Sequence, residues 1–419
     1  MELCGVTAIA WSKSISPTLH SPQTFSVWRF RRTRTFCASS GNDSAQSPKT
    51  DEMIVSITGA TGFIGKRLVQ RLHADNHRVR VLTRSRSKAL SIFPGKKFFL
   101  SSTLSSYANY HFLIQEYKFY IYFFLFPSIS FLILIVSYLP LTISKIDLLF
   151  LLLNLFICLV RDFPGVVIAE EPEWRNYIQG STAVVNLAGT PISTRWSPDI
   201  KKDIKESRIK VTSKVVDIIN NSQDELRPKV LINATAIGYY GTSQTRVFDE
   251  QSPSGNDYLA EVCREWETAA LRVDKDVRLA LIRIGVVLGK EGGALAKMIP
   301  IFMMFAGGPL GSGKQWFSWI HVDDLVNLIY EALSNPSYKG VINGTAPNPV
   351  RMSEICEQLG SVLGRPSWLP VPDIALKAAL GEGACVVLEG QKVVPARAKE
   401  LGFSFKYPHV KDALKAIMS

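Results

Sequence analysis

The amino-acid sequence predicts an α/β fold: a doubly wound parallel sheet with a smaller C-terminal α/β domain on the substrate side. Three observations carry the prediction. Residues 53–58, Met-Ile-Val-Ser-Ile-Thr, form a short apolar, β-branched run that ends in a glycine-rich turn. Helical spacing follows at once over 66–73 and gives way to a second apolar run over 79–83. Further runs of this kind alternate with helical stretches as far as residue 290. Strands without polar alternation are covered on both faces, and alternating β and α segments build such sheets.

The 419 residues are a mosaic, so the averages of 47% hydrophobic and 20% charged residues describe no single part of it. Those averages still exclude a disordered chain, a collagen-like chain and a disulfide scaffold. Residues 1–42 set one acid, Glu2, against five bases, Lys13, Arg29, Arg31, Arg32 and Arg34, and are rich in Ser and Thr. No apolar stretch there suits a secretory signal. A basic, Ser-rich, acid-poor leader reads as an organellar transit peptide, and its lack of a sustained amphipathic pattern favours the chloroplast. A disordered tail is the plainer alternative. Much of the net charge of +12 sits in this leader, and the remainder does not describe a nucleic-acid binder.

The first strand and its turn come next. Gly59-Ala60-Thr61-Gly62-Phe63-Ile64-Gly65 follows residues 53–58 directly. A glycine triplet alone is weak evidence. Between a strand and a helix it is strong, because each glycine has a task. Gly59 permits the tight turn, Gly62 lets the backbone approach a pyrophosphate, and Gly65 lets the helix pack closely on the sheet. The helix start offers free N–H groups and a positive dipole end. The second strand ends in Thr83-Arg84-Ser85-Arg86-Ser87-Lys88, three bases and no acid. An NAD site places a carboxylate there for the ribose 2′-hydroxyl, whereas an arginine fork suits a 2′-phosphate. The expected cofactor is therefore NADP(H), and a solvated basic loop is the bland alternative.

Residues 99–161 break the pattern. Phe, Leu, Ile and Tyr make up 38 of the 63 residues, there is no Gly, and 119–144 carry no charge. The run 119–143 is long enough for a membrane helix, but Pro127 and Pro140 interrupt it and its tyrosines form no belt. The dominant amino acids have A- or T-rich codons, so translated non-coding sequence such as a retained intron fits better. A membrane insertion and a soluble apolar insertion remain the alternatives. Excising the block leaves about 58 residues between Gly65 and Asn186, which suits an ordinary β-α-β connection.

Later strands follow at 183–188, 229–235 and 277–289. Their tips at Asn186, Thr235 and Arg283 should converge with Gly59 and Arg84, because ligands bind outside the carboxyl ends of the strands in such sheets. The implied organisation is a nucleotide-binding domain of residues 53–98 and 162–290, the apolar insertion 99–161, and a substrate-side region of residues 291–419.

Several motifs together resemble the atypical extended short-chain dehydrogenase/reductases, in the epimerase-family branch with plastid SulA-like (Giant Chloroplast) members. They are Thr58 to Gly65, Asn186-Leu-Ala-Gly189, Ser207-Arg208, Gly307 to Gly313, Trp319-Ile-His-Val-Asp-Asp-Leu325 and Glu389 to Pro395. The resemblance spans nearly all of 53–98 and 162–415. It implies a Rossmann domain binding NADP(H) and a small-molecule substrate. Gly59, Thr61, Gly62, Phe63, Ile64 and Gly65 would hold the pyrophosphate, and Thr83 and Arg84 would face the 2′-phosphate. Asn186, Leu187, Ala188, Gly189 and Thr190 would line the ribose and nicotinamide side. Through its plastid members it also implies plastid-division or peripheral membrane partners.

The catalytic pattern departs from that family. Its members pair a Tyr with a Lys four residues later, which lowers the Tyr pKa so that it can act as a base. The helix after Gly255 places Leu259 and Cys263 at those positions, and Val262 follows Tyr258 by four. Ala236 takes the place of the usual Ser, with Thr235 beside it. Thr235, Tyr240 and Tyr258 are the candidate replacements, set against a role for each tyrosine in packing. A histidine ordinarily titrates near neutrality, which makes His321 a further candidate, set against a motif that supports structure. Outside the leader and the insertion, Cys263, Cys356 and Cys385 have no metal or redox spacing, so no metal is expected. The open alternatives are an NADP(H)-dependent oxidoreductase or epimerase, a non-catalytic NADP(H)-binding regulator, and a membrane-anchored form of either.

Overall fold

The computed structural model describes residues 52–94, 163 and 165–419; the leader 1–42 and the apolar insertion 99–161 lie outside the described residues. Seven strands form one parallel sheet: β1 (Ile54–Thr58), β2 (Arg78–Thr83), β3 (Val167–Glu170), β4 (Ala183–Asn186), β5 (Val230–Ala236), β6 (Arg278–Ile284) and β7 (Gly340–Gly344). Their order across the sheet is β3-β2-β1-β4-β5-β6-β7. The winding reverses between β1 and β4, where Thr58 lies opposite Asn186. A crevice opens at such a switch point, outside the carboxyl ends of the strands.

The strands alternate faces, and each face meets its own helices. Val55, Ile57, Val79, Val81, Val185 and Ile282 turn toward α1 (Phe63–Ala74) and α5 (Val322–Ser334), which contribute Leu68, Val69, Leu72 and Leu328. Val184 and Leu231 turn the other way, toward Val215, Val216 and Ile219 of α3 (Pro198–Asn220). Both sets are buried, which is why the strands lack polar alternation. The start of α3 is set locally: the Ser197 hydroxyl accepts from the Ile200 N–H at 3.2 Å, and Pro198 occupies the first turn. Two further helices flank the sheet, α2 (Arg86–Ile92) and α4 (Tyr258–Leu271).

A second core joins strand Val286–Gly289 to helices Leu295–Met303, Met352–Leu363 and Val410–Met418 through Leu288, Leu295, Phe302, Trp319, Ile355 and Leu414. The boundary drawn at residue 290 is therefore corrected. Helix α5 and strand β7 come from beyond it, yet β7 pairs with β6 and buries Ile342 in the first core. The reason is visible in the sequence Gly-Val-Ile-Asn-Gly, whose apolar run is only two residues long. The C-terminal segment is tied back to α5: the buried Asp324 carboxylate accepts the N–H groups of Lys406 at 2.8 Å and Tyr407 at 3.0 Å. Among the described residues, no helix is long and apolar enough to cross a membrane.

Candidate functional site

The turn after β1 is built around close backbone contacts. Gly59 has φ +69°, and a Cβ there would lie 2.6 Å from the Leu187 carbonyl. A Cβ on Gly65 would lie 2.3 Å from the Gly59 oxygen. Both positions therefore require glycine, one for conformation and approach and the other for approach alone. The Gly62 N–H donates to the Gly59 oxygen at 2.9 Å, and the first helical bond runs from Lys66 to Gly62 at 3.0 Å. The N–H groups of Phe63, Ile64 and Gly65 come before that bond and point out of the helix start. This concave, donor-lined cradle fits a pyrophosphate, and filling it with a Cβ would destroy it. Thr61 lies half-buried in the same turn.

Three cofactor-site residues are used differently from the expectation. The Phe63 ring leaves the turn and packs against Gly289 and Gly292, where added Cβ atoms would come within 2.5 and 2.6 Å of it. Only its backbone N–H remains at the cradle. The Asn186 side chain is fully buried and its bonding capacity is used up. It accepts from the Thr58 hydroxyl at 2.5 Å and the Ala188 N–H at 3.4 Å, and donates to Thr212 at 2.8 Å and Asn233 at 2.6 Å. Asn186 thus ties β1, β4, β5 and α3 together rather than facing a ribose. The Thr83 hydroxyl is engaged by Ser85, whose N–H donates to it at 3.0 Å.

Leu187, Ala188 and Gly189 continue from β4 beside the Gly59 turn, and Thr190 follows with its N–H on the Ser207 hydroxyl at 3.1 Å. Arg84 is exposed at the tip of β2, with no ion-pair partner among the described residues. A carboxylate that the sequence reading missed does stand nearby. Glu170 ends β3 opposite Thr83, but it accepts the Arg86 N–H at 3.1 Å and caps the turn that follows it. Its own strand enters only after the long insertion, so no local spacing pointed to it.

The proposed acid/base residues are drawn into other work. Arg283 is 3% exposed and meets Glu267, 5% exposed, through two bonds of 2.7 Å. The Thr235 hydroxyl donates to the same carboxylate at 3.0 Å. Arg283 also donates to the Tyr240 oxygen at 3.0 Å, and the Tyr240 hydroxyl donates to Asn343 at 2.7 Å. Its guanidinium lies 3.4 Å from the centre of the Tyr239 ring. Burial works against the Arg283 charge, but the bonds from Glu267 and Tyr240 outweigh it and hold its pKa above the ordinary value. Burial also pushes the Tyr240 phenol up to about 12, against the opposing pull of Arg283. Thr235 and Tyr240 are therefore corrected from acid/base candidates to members of a closed buried network.

Tyr258 begins α4 at the edge of the cleft. Its hydroxyl donates to the Lys201 carbonyl, and its ring meets Trp196 edge-on at 5.4 Å. Burial raises its pKa, opposed by Lys201, Lys205 and Arg208. Leu259 and Cys263 both face the turn after β5: a Cβ on Gly238 would be 3.4 Å from the Leu259 Cβ and 3.9 Å from the Cys263 Sγ. The Cys263 thiol points at the Ala236 carbonyl at 3.7 Å and is pushed up to about 12 by burial and by Glu267. A neutral thiol cannot supply the positive charge of the missing Lys. His321 caps α5 instead of facing the cleft, with its Nδ1 accepting the Asp323 N–H at 3.0 Å.

Loop 190–197 and the start of α3 are tied to the C-terminal region and to helix Leu295–Met303. The Trp196 indole donates to the Ile192 carbonyl at 2.8 Å, and Gly383 sits so close that a Cβ would strike the Thr194 oxygen at 2.4 Å. Lys201 pairs with Glu382 at 2.8 Å and Lys297 reaches the Ser193 hydroxyl at 2.8 Å.

Known proteins share this architecture. The model of the NAD dependent epimerase/dehydratase family matches residues 55–123 and 157–343, and a domain of unknown function, DUF1731, matches 371–417. An Arabidopsis thaliana protein named as a chloroplastic homologue of the epimerase family protein SDR39U1 is 62% identical over 416 residues, 99% of each chain. The Bacillus subtilis epimerase family protein YfhF is 40% identical over 56% of this chain and 77% of its own. The human epimerase family protein SDR39U1, crystallised with NADPH, superposes with a TM-score of 0.65 at 29% identity, covering 87% of this chain and 99% of its own. A Bacillus cereus UDP-glucuronic acid 4-epimerase, at 16% identity and a TM-score of 0.57, shares the fold. With its glycine turn, its sheet order and these relatives, this chain belongs to the NAD dependent epimerase/dehydratase family.

Proposed function

We propose that this protein is a chloroplast NADP(H)-dependent oxidoreductase or epimerase-like enzyme acting on a small molecule. The observation that carries the reading is the tip of β2. It presents Arg84, exposed and without an ion-pair partner among the described residues, beside a donor-lined glycine cradle, and the nearby Glu170 is already bonded. The N–H groups of Phe63, Ile64 and Gly65 would hold the pyrophosphate, Arg84 the 2′-phosphate, and the backbone of Leu187 to Thr190 the nicotinamide side. NADP(H), when bound, supplies hydride chemistry. The human relative crystallised with NADPH and the chloroplastic name of the Arabidopsis relative support the cofactor and the compartment.

Fluorescence titration of NADPH and NADH against the wild type and Arg84→Ala tests the cofactor. Loss of one charge-assisted contact should weaken NADPH binding about tenfold or more and leave NADH unchanged. Equal NADPH affinity in both proteins would overturn the reading.

A second reading, a non-catalytic NADP(H)-binding regulator of plastid division or redox state, has its own observation: Thr235, Tyr240 and Cys263 are sealed in the interior. Partners at a membrane or in the division machinery belong to this reading. Single-turnover oxidation of bound NADPH across a panel of carbonyl compounds and nucleotide sugars separates the two. Any substrate-dependent oxidation favours the enzyme.

A further inference from the structure

Arg208 has no part in the cofactor cradle or the Glu267 network. It rises from α3 beside the cleft, with its guanidinium lying on Gly189: a Cβ there would come within 3.2 Å of its Cζ and Nη2. Nη1 donates to the Ile204 carbonyl at 2.8 Å and Nη2 to the Thr190 carbonyl at 3.0 Å. The Trp266 ring lies beneath it, 5.3 Å from the Cζ, and Trp266 is itself fixed by donating to Thr212 at 2.8 Å. A guanidinium carries five N–H donors, and carbonyls take only two of these.

No carboxylate pairs with Arg208 among the described residues, and the neighbouring charges are all spoken for. Lys205 holds Glu261 at 2.8 Å and Glu265 at 2.6 Å, Lys201 holds Glu382, and Arg283 holds Glu267. Burial lowers the Arg208 pKa, and the titratable groups acting on it are the Cys263 thiol and the Tyr258 phenol. A partly desolvated cation without a counter-ion is costly, which makes this position a candidate binding site. Its place is also telling. Cys263, at the position where the family resemblance would put a Lys, is neutral, so α3 brings to this corner a fixed positive charge that α4 lacks.

We infer that Arg208 is a substrate-binding residue that takes a carboxylate of a small organic acid at the nicotinamide side of the cleft. This deepens the oxidoreductase reading and rests on it. The remaining donors form a planar fork, which matches a carboxylate in two parallel bonds. One cation balances one negative charge. A phosphate dianion would want a second cation, and Lys201 and Lys205 are already paired. Trp266 beneath the fork and the Trp196–Tyr258 pair near it favour an organic acid over a bare inorganic anion.

The test uses the NADPH-loaded full chain, with benzoate and inorganic phosphate as separate probes and tryptophan fluorescence as the signal. Benzoate should bind saturably and phosphate about tenfold more weakly or not at all. Arg208→Met should weaken benzoate about tenfold or more, a loss larger than any change in NADPH affinity that follows from freeing the Thr190 carbonyl, and Arg208→Lys should retain part of the binding. The inference is overturned if Arg208→Met binds benzoate as the wild type does, if phosphate binds more tightly, or if the wild type shows no saturable benzoate binding. Failure of the wild type to bind NADPH would sink the cofactor reading alone, because the benzoate titration repeated without cofactor still reports on Arg208. Arg208→Lys keeps the comparison meaningful should the Met variant fail to fold.

Discussion

Glu267 shows how far a single side chain can depart from its reading in the sequence. There it is one of three acids on the helix after Gly255. In the structure it is the anion of a buried pair, with Arg283 in a two-bond fork and Thr235 on the same oxygen. Removing one member of such a pair strands the other, so Glu267→Gln should cost on the order of 3 kcal/mol in chemical denaturation. Tyr240→Phe removes two weaker bonds and should cost about 1–2 kcal/mol while leaving NADPH affinity intact. Full stability with lost turnover in Tyr240→Phe would instead return that hydroxyl to the chemistry. The sequence shows that hydroxyl-bearing residues flank β5, but not which way each side chain turns, and that direction decides between catalysis and scaffold.

The turn joining β1 to α1 was the most legible element. Glycine spacing between a strand and a helix has few physical solutions, and Gly59 and Gly65 stand where the backbone leaves no room for a Cβ. Gly65→Ala should force α1 off the sheet, lowering stability by about 2–3 kcal/mol and weakening NADPH binding in the same titration. Wild-type binding in that variant would mean that the turn absorbs the extra atom. Less was legible where the contact is remote. Phe63 reads as part of the motif, yet its ring seals the Gly289–Gly292 hairpin, more than two hundred residues away in the chain. Asn186 likewise reads as a strand tip facing ligand, and only the tertiary arrangement shows its four bonds turned inward.

Across the whole molecule, two cores share the chain between 286 and 419, and the segments alternate between them. That interleaving defeated a boundary drawn by composition, although the sheet class itself was readable from apolar runs. Their junction should lose stability at acid pH. His321 caps α5 among Asp323, Lys406, Arg67 and the Tyr407 ring, whose centre is 4.1 Å away, and burial pushes its imidazole down to about 4. The folded pKa lies below the unfolded one, so the unfolded chain takes up the proton first. The stability contribution is complete above about pH 6.5 and is lost as pH falls toward 4. Asp323, held low by Arg67 despite its burial, contributes only below that window. Urea midpoints should fall over this range by the equivalent of about 1–3 kcal/mol, and His321→Asn should flatten the slope. An unchanged slope would place the titration elsewhere. The tie between Asp324 and the N–H groups of Lys406 and Tyr407 also bears on the order in which the protein can fold. All seven strands precede residue 345, yet the donors for this carboxylate lie some sixty residues beyond the last of them. Until that segment docks, a carboxylate destined for the interior has no donors, and α5 cannot settle on the sheet at low cost. The nucleotide half thus closes only when a segment far beyond its last strand folds onto it.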